Sequence, residues 1–331
     1  MRATDMPHIL VAGKLHPAGL ALLDATTGVT YTHVEEISEE SYQPYLEQAD
    51  GMVIRTQPMT AASVAKAAKV QIVSRHGVGY DAVDVAALNA RGIPLCIVGD
   101  VNSVSVAEHA MMQILACAKQ LIRSDRAVRN GPWGWRNKLE QGEVSGKTLL
   151  IIGYGRIGRH LATMASAFGM KIAAHDPYLA AKGWPEGNVT CAADLSAALA
   201  QADFVSVHIP KADKPIIGAA ELASMKRGAI IVNTARGGIV DEAALADALR
   251  SGQIAAAALD VFDAEPPAAD HPLLAFDQVI LTPHTAGLTA EAAERMAVSS
   301  VQNVLDFFAG QLDPALVVNA AALTGAKELV K

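Results

Sequence analysis

Short runs of β-branched and other apolar residues alternate along this chain with alanine-rich stretches of helical spacing. HILVAG (8–13), GMVIR (51–55), VQIVSR (70–75) and IPLCIV (93–98) read as strands; LALLDA (20–25) and VAALNARG (85–92) read as helices, the second closed by Gly92. This βα alternation predicts a largely parallel sheet with helices on both faces. From Ser105 to about Arg129 the pattern becomes helical throughout and predicts one long helix, broken at Asn130-Gly131-Pro132. A second βα series follows, with strands in KTLLIIG (147–153), KIAAHD (171–176), FVSVHI (204–209), AIIVNTA (229–235), AAALDVF (256–262) and QVILTP (278–283). A last helix, about 289–309, leads to a polar tail.

The second series is intact from about 102 to 287, and the first and last parts of the chain flank it. That layout predicts an α/β protein of two doubly wound parallel-sheet domains, one (102–287) inserted into the other (1–101 with 288–331). A length of 331 residues, 51% hydrophobic and 18% charged, suits two packed cores.

Charge and cysteine usage narrow the classes. The formal net charge is −7 and no long basic run occurs, which speaks against nucleic acid or an anionic membrane surface as partner. Cys96, Cys117 and Cys191 lie far apart and form no CxxC; they read as buried free thiols in a reducing compartment, with no metal site. The start, MRATDMPHILVAG, shows no long apolar signal segment, and no run of about 20 apolar residues occurs, so a soluble, cytoplasmic protein is expected.

Gly153-x-Gly155-x-x-Gly158 lies between a buried-strand run and a helix with apolar residues at Ile157, Leu161, Met164, Ala165 and Phe168. Alone, GxGxxG is weak; between a strand and a helix it has a mechanism. Gly153 permits the tight turn, Gly155 lets a pyrophosphate approach the backbone, and Gly158 lets helix and strand pack closely. The free amides near Arg156 and Ile157 attract the anion. Eighteen residues past Gly158 the next strand ends at Asp176. Its carboxylate can accept both ribose hydroxyls and would repel a 2′-phosphate, which favours NAD over NADP. The competing reading is an ordinary βα turn with a solvated Asp.

Three later strands end in chemistry. NTARGGIVDE delivers Arg236 and an Asp241 that can cap the next helix; ALDVFDAEPP delivers Asp260 and Glu265; VILTPH delivers His284. In a parallel sheet these ends share one edge with the glycine loop, where ligands bind. The trio suits hydride transfer to a 2-oxo acid. Arg236 can pair with the substrate carboxylate and lie near the carbonyl oxygen. His284 can give that oxygen its proton, or take it back in the reverse direction. Glu265 can hold the other ring nitrogen and favour the charged ring. Singly, each residue has a plainer reading as a loop histidine, a surface salt bridge or a solvated turn.

With these pieces in order, the chain resembles the D-isomer-specific 2-hydroxyacid dehydrogenase family. RHGVGYDAVD (75–84), NSVSVAEH (102–109), GKTLLIIGYGRIG (146–158), NTARGGIVDE (233–242), ALDVFDAEPP (258–267) and LTPHTAG (281–287) carry the likeness. The resemblance implies a Rossmann NAD-binding domain, a flavodoxin-like substrate (catalytic) domain, and homodimers built on the cofactor domain. It implies the roles above for Arg236, Glu265 and His284. It also implies a substrate-carboxylate loop at Val78 and Gly79, cofactor contacts at Arg156, Ile157, Asp176, Ile209, Thr234, Ala235, Asp260 and Gly287, and a substrate contact at Asn102. The WGWR segment (133–136) corresponds to a region that clasps the other subunit.

Within the family, VIRTQPMT, VAEH and ARGGIVDE look most similar to 3-phosphoglycerate dehydrogenase. The resemblance implies that Arg55 and Arg75 match positions near that family's substrate loop and that Arg136 could reach a neighbouring subunit's site; a second acidic group on the substrate would justify these charges. Strand-end salt bridges are the alternative. Val78 stands where a hydroxyl residue is common in phosphoglycerate enzymes. Glyoxylate/hydroxypyruvate reductase or another small 2-hydroxy acid dehydrogenase therefore stays open, and Glu265 in place of a Gln disfavours formate dehydrogenase. An NAD-binding regulatory module without turnover is the remote alternative; only the end AALTGAKELVK could serve it as a tail.

Overall fold

The computed structural model describes residues 6–323; the last eight residues of the expected tail, 324–331, lie outside them. The chain divides into two compact units, one running to Asn102 and resuming at Leu288, the other Ser103–Gly287.

The first unit has a five-stranded parallel sheet: β1 (His8–Ala12), β2 (Thr30–Val34), β3 (Gly51–Ile54), β4 (Ile72–Arg75) and β5 (Leu95–Cys96), in the order β2-β1-β3-β4-β5. Its central strands are buried on both faces, which is why they read as unbroken apolar runs. β2 (TYTHV) is the edge strand and mostly half-exposed. Its polar alternation gave no strand signal, and it is held by register with β1 and by His8, whose ring nitrogens lie 2.8 and 2.9 Å from the hydroxyls of Thr30 and Thr32. β5 is shorter than the expected run 93–98, because Ile97 turns its amide to Leu316 and Cys96 bridges Val317. The helix Ala290–Ala309 packs Ala297, Val301 and Val304 against Ile9, Val11 and Ile72 of this sheet. Gly19 permits the approach of the helix Pro17–Ala25, since a Cβ there would sit 3.0 Å from the Ala297 Cβ.

The second unit has seven parallel strands: β6 (Thr148–Ile152), β7 (Lys171–His175), β8 (Thr190–Cys191), β9 (Phe204–Val207), β10 (Ala229–Asn233), β11 (Ile254–Leu259) and β12 (Val279–Leu281). Their order is β12-β11-β10-β9-β6-β7-β8. The chain starts at β6, works outward through β7 and β8, then returns to β9, so the order reverses beside β6. Loops at such a reversal splay apart and leave a crevice at the carboxyl ends of the strands.

One expectation fails here. The stretch 105–129 is not one helix but two, Ser103–Ala118 and Leu121–Asn130, separated by Gln120 in the left-handed region (φ 46°). The first packs Ala107, Ala110, Met111, Ile114 and Cys117 into the core; the second buries nothing. The returning chain stops the first helix. Gly142 donates to the Ala118 carbonyl at 2.8 Å and Gln141 Nε2 to the Lys119 carbonyl at 2.9 Å, satisfying carbonyls the helix end leaves open. Side-chain periodicity continues across the break, so the sequence did not reveal it. Of the three cysteines, Cys96 and Cys117 are buried, with thiols pushed up to about 12 by burial, while Cys191 is only half-buried. Among the described residues no helix is long and apolar enough to cross a membrane.

Candidate active site

The glycine loop follows β6 at the strand-order reversal. Gly153 has φ 94°, and a Cβ there would meet the His208 carbonyl oxygen at 2.4 Å; Gly158 stands equally close to the Gly153 carbonyl oxygen. Both positions are therefore restricted to glycine by backbone contact. Gly155 differs: nothing lies within 4 Å of where its Cβ would be. It opens the helix Arg156–Ala167 and offers no side chain to cap it. Open space in front of uncapped amides fits a pyrophosphate.

Asp176, at the end of β7, is no loosely solvated turn residue. Its Oδ2 accepts the Tyr154 amide of the glycine loop at 3.0 Å and its Oδ1 caps the following helix through Leu179 at 2.9 Å. One carboxylate thus ties the loop to the next strand end, and each oxygen keeps a lone pair for a ribose hydroxyl. Ile209, half-buried, lies against the same glycine turn.

After β9 stands His208, which the sequence did not single out, and after β10 stands Thr234, which it did. Val207 and Asn233 are register partners, so His208 and Thr234 leave neighbouring strand ends. The buried His208 Nδ1 and Thr234 Oγ1 have no hydrogen-bond partner among the described residues. Burial lowers the His208 imidazole to about 3, which keeps it neutral. Unpartnered buried polar atoms are costly and want an explanation. Two of them beside a glycine cradle fit the polar half of a dinucleotide. Ala235 is buried next to them.

Arg236, Glu265 and His284 leave β10, β11 and β12, three adjacent strands whose ends Asn233, Leu259 and Leu281 stand in register. Arg236 is half-buried; its Nη1 donates to the Ala235 carbonyl at 2.6 Å, and Asn233 Nδ2 holds its carbonyl at 2.9 Å. Gly237 lies flush under the next loop: a Cβ there would sit 1.9 Å from the Phe262 carbonyl oxygen. The Arg236 turn and the Glu265 turn are therefore packed backbone to backbone. Glu265 closes its own turn, accepting the Phe262 amide at 3.1 Å through Oε1, while Glu242 accepts the Asp263 amide at 2.9 Å. The other Glu265 oxygen, Oε2, lies 2.7 Å from His284 Nδ1. Because a carboxylate only accepts, Nδ1 carries the hydrogen and Nε2 is the nitrogen left for a substrate.

His284 has φ 54°, a left-handed conformation that costs a non-glycine residue about 1 kcal/mol. Its amide donates to the Asp260 carbonyl at 2.8 Å, and the Asp260 carboxylate takes the amides of Thr285 (2.9 Å) and Ala286 (2.8 Å). Asp260 is completely buried, so its place is beneath the loop that presents His284. Gly287 follows at the unit's end, half-buried.

In the first unit, Arg55 follows β3 and Arg75 ends β4, both half-buried. Arg55 Nη1 donates to the Lys14 carbonyl and Arg75 Nη1 to the His76 carbonyl. His76, missed in the sequence, is buried between these charges; burial first, then Arg55 and Arg75, lower its imidazole to about 4. Its Nε2 and the Asn102 Oδ1 are buried without partners among the described residues. Val78 and Gly79 are half-buried in the loop that follows. Arg136 is exposed on the turn Trp133–Lys138, over the Trp133 ring at 5.6 Å.

Comparison with known proteins agrees with this geometry. Residues 111–286 match the family model described as D-isomer specific 2-hydroxyacid dehydrogenase, NAD binding domain. The chain is 39% identical over 315 residues to D-3-phosphoglycerate dehydrogenase of Mycobacterium leprae, covering 94% of this chain but 58% of that protein. It is 38% identical to hydroxypyruvate reductase of Thermotoga maritima, covering 82% of this chain and 88% of that one. A solved structure of NADPH-dependent glyoxylate/hydroxypyruvate reductase from Sinorhizobium meliloti superposes with a TM-score of 0.80 at 29% identity, covering 91% of this chain and 95% of that one. The chain thus spans under two thirds of the length of the phosphoglycerate dehydrogenase relative. A glycine cradle, two orphaned polar atoms beside it and a paired histidine and glutamate on the same sheet edge agree with these matches: the chain belongs to the D-isomer-specific 2-hydroxyacid dehydrogenase family, with NAD as its cofactor.

Proposed function

We propose that this protein catalyses the reversible, NAD-dependent interconversion of a small 2-hydroxy acid and its 2-oxo acid. The contact between His284 Nδ1 and Glu265 Oε2 carries the reading, because it fixes which ring nitrogen faces a substrate. When bound, NAD supplies the electron-pair acceptor or donor. Gly155, Arg156 and Ile157 would hold its pyrophosphate in the turn that Gly153 and Gly158 shape, and Asp176 its ribose; Ile209, Thr234, Ala235 and Gly287 would line the remainder. His284 moves the proton at the substrate's C2 oxygen through Nε2. Glu265 keeps the ring oriented and stabilises its charge. Arg236 pairs with the substrate carboxylate and draws electron density from the carbonyl oxygen. The inserted unit is the cofactor domain, and the unit bearing Val78, Gly79 and Asn102 the substrate domain.

We assign Arg55, Arg75 and Arg136 to an acidic group at the substrate's far end, which favours a phosphoglycerate-type acid over glyoxylate or hydroxypyruvate. A homodimer through the cofactor domain is supported by exposed Leu121, Ile122, Val128, Trp133 and Leu139. Loss of NADH absorbance with phosphohydroxypyruvate, hydroxypyruvate, glyoxylate, pyruvate, 2-oxoglutarate and sulfopyruvate tests the proposal. Fast turnover on one doubly anionic acid is expected. Equal, slow turnover on the singly charged acids would demote the arginines to structure. NADH binding without any turnover would overturn the enzymatic reading.

A further inference from the structure

The loop 282–286 presents His284, yet the group that holds it, the Asp260 carboxylate, is completely buried. A buried carboxylate is tolerated only where donors surround it. Two donors are the amides of Thr285 and Ala286 already described. A third is the Thr282 hydroxyl, 2.5 Å from Asp260 Oδ1. The hydroxyl has one proton, and the carboxylate can only accept, so that proton is committed to Asp260. The Thr282 oxygen must then accept from its other neighbours. Of these, Gln113 Nε2 at 3.2 Å can only donate, and His109 Nε2 lies at 3.0 Å; the two side chains are one turn apart on the helix Ser103–Ala118. Gln113 is completely buried and also lies 3.1 Å from His109 Nε2. His109 Nε2 lies 3.7 Å from Asp260 Oδ1 as well.

From this proton inventory we infer that Thr282, backed by His109 and Gln113, is a positioning residue: it orients the Asp260 carboxylate, which in turn holds the left-handed His284 in place. The chain of bonds runs from the helix through a hydroxyl and a carboxylate to two loop amides, and every link lies within the second unit. Thr282 touches neither substrate nor cofactor in this scheme. Its effect is felt through the angle at which His284 meets Glu265. The inference rests on the catalytic reading of His284, but its structural half can be read without turnover.

The test uses Thr282→Val, which keeps the shape and removes the hydroxyl, with Thr282→Ser as the conservative rescue. Hydrogen exchange of the peptide covering 282–288 should speed up about tenfold or more in the valine variant, as expected for loss of a hydrogen bond to a charged group. Serine should restore protection, and peptides from the glycine loop should not change. kcat should fall by a similar factor in the valine variant, with KM for the oxo acid and the dissociation constant for NADH nearly unchanged. Unchanged exchange and kcat in Thr282→Val overturn the positioning role. His284→Ala, run alongside, separates the failures: full activity there sinks the catalytic reading, whatever Thr282 does. Should the valine variant not fold, Gln113→Leu removes a supporting donor, and a several-fold increase in loop exchange is expected; no increase overturns the inference.

Discussion

His284 and Glu265 meet at 2.7 Å although their side chains remain 51% and 37% exposed. An exposed contact of this kind contributes little to stability, about 0–1 kcal/mol. Its value lies in orientation. His284→Ala should lower kcat by about 10²–10⁴-fold, the range for general acid–base catalysis, and Glu265→Gln by less. NADH binding, followed by protein fluorescence quenching, should stay near the starting value in both. Equal loss of turnover and NADH binding would make the pair structural.

Asp176 does two jobs, and its removal should show both. Asp176→Ala deletes the acceptor for Tyr154 and the cap on Leu179, which should cost about 1 kcal/mol in denaturant unfolding. It should also narrow the preference for NADH over NADPH, measured as the ratio of the two kcat/KM values. A lower stability with an unchanged ratio would leave Asp176 as a cap alone.

Gly237 admits no side chain, because its Cβ would fall 1.9 Å from the Phe262 carbonyl oxygen. Gly237→Ala must push the 262–265 turn away from the Arg236 turn. Overpacking of this kind costs about 1–3 kcal/mol. Since Arg236 and Glu265 sit on the two displaced turns, kcat should fall further than stability explains. Urea midpoints compared with kcat at a temperature where the variant is fully folded decide the point, and a normal kcat would show that the two turns move independently.

Acid should destabilise the fold through its neutral histidines. Burial holds His76 near 4 and His208 near 3, against about 6.5 for an imidazole in the unfolded chain. Above about pH 6.5 neither state binds these protons and their contribution is fully present. As pH falls below that value the unfolded chain takes up protons that the native one refuses. Stability then declines, by up to about 1.4 kcal/mol per pH unit for each group, until the native pKa is reached. His76→Gln should flatten part of the fall in urea midpoint between pH 6 and 4.5. Parallel slopes for the two proteins would mean that His76 titrates normally.

Much of this was legible in the chain itself. β-Branched runs buried on both faces announce parallel strands, and a glycine triplet between a strand and a helix announces a phosphate cradle, because both depend on local sterics and local hydrophobicity. Topology then forces Arg236, Glu265 and His284 onto one sheet edge, since parallel strands all end on the same side. The sequence alone therefore determined the fold class, the tight glycine turn after β6 and the identity of the candidate trio. Tertiary structure decided the rest. The break at Gln120 depends on Gly142 and Gln141 returning to cap a helix some twenty residues earlier. His208, which no motif singled out, becomes notable only once neighbouring strands set its orphaned Nδ1 beside the strand end that carries Thr234. Asp260 read as a residue facing the cofactor, and only its complete burial beneath the loop at His284 assigns its carboxylate to that loop. Local pattern sets which residues reach the edge, but hydrogen-bond satisfaction across distant segments sets how they are held, and that information is not written in any single stretch of the chain.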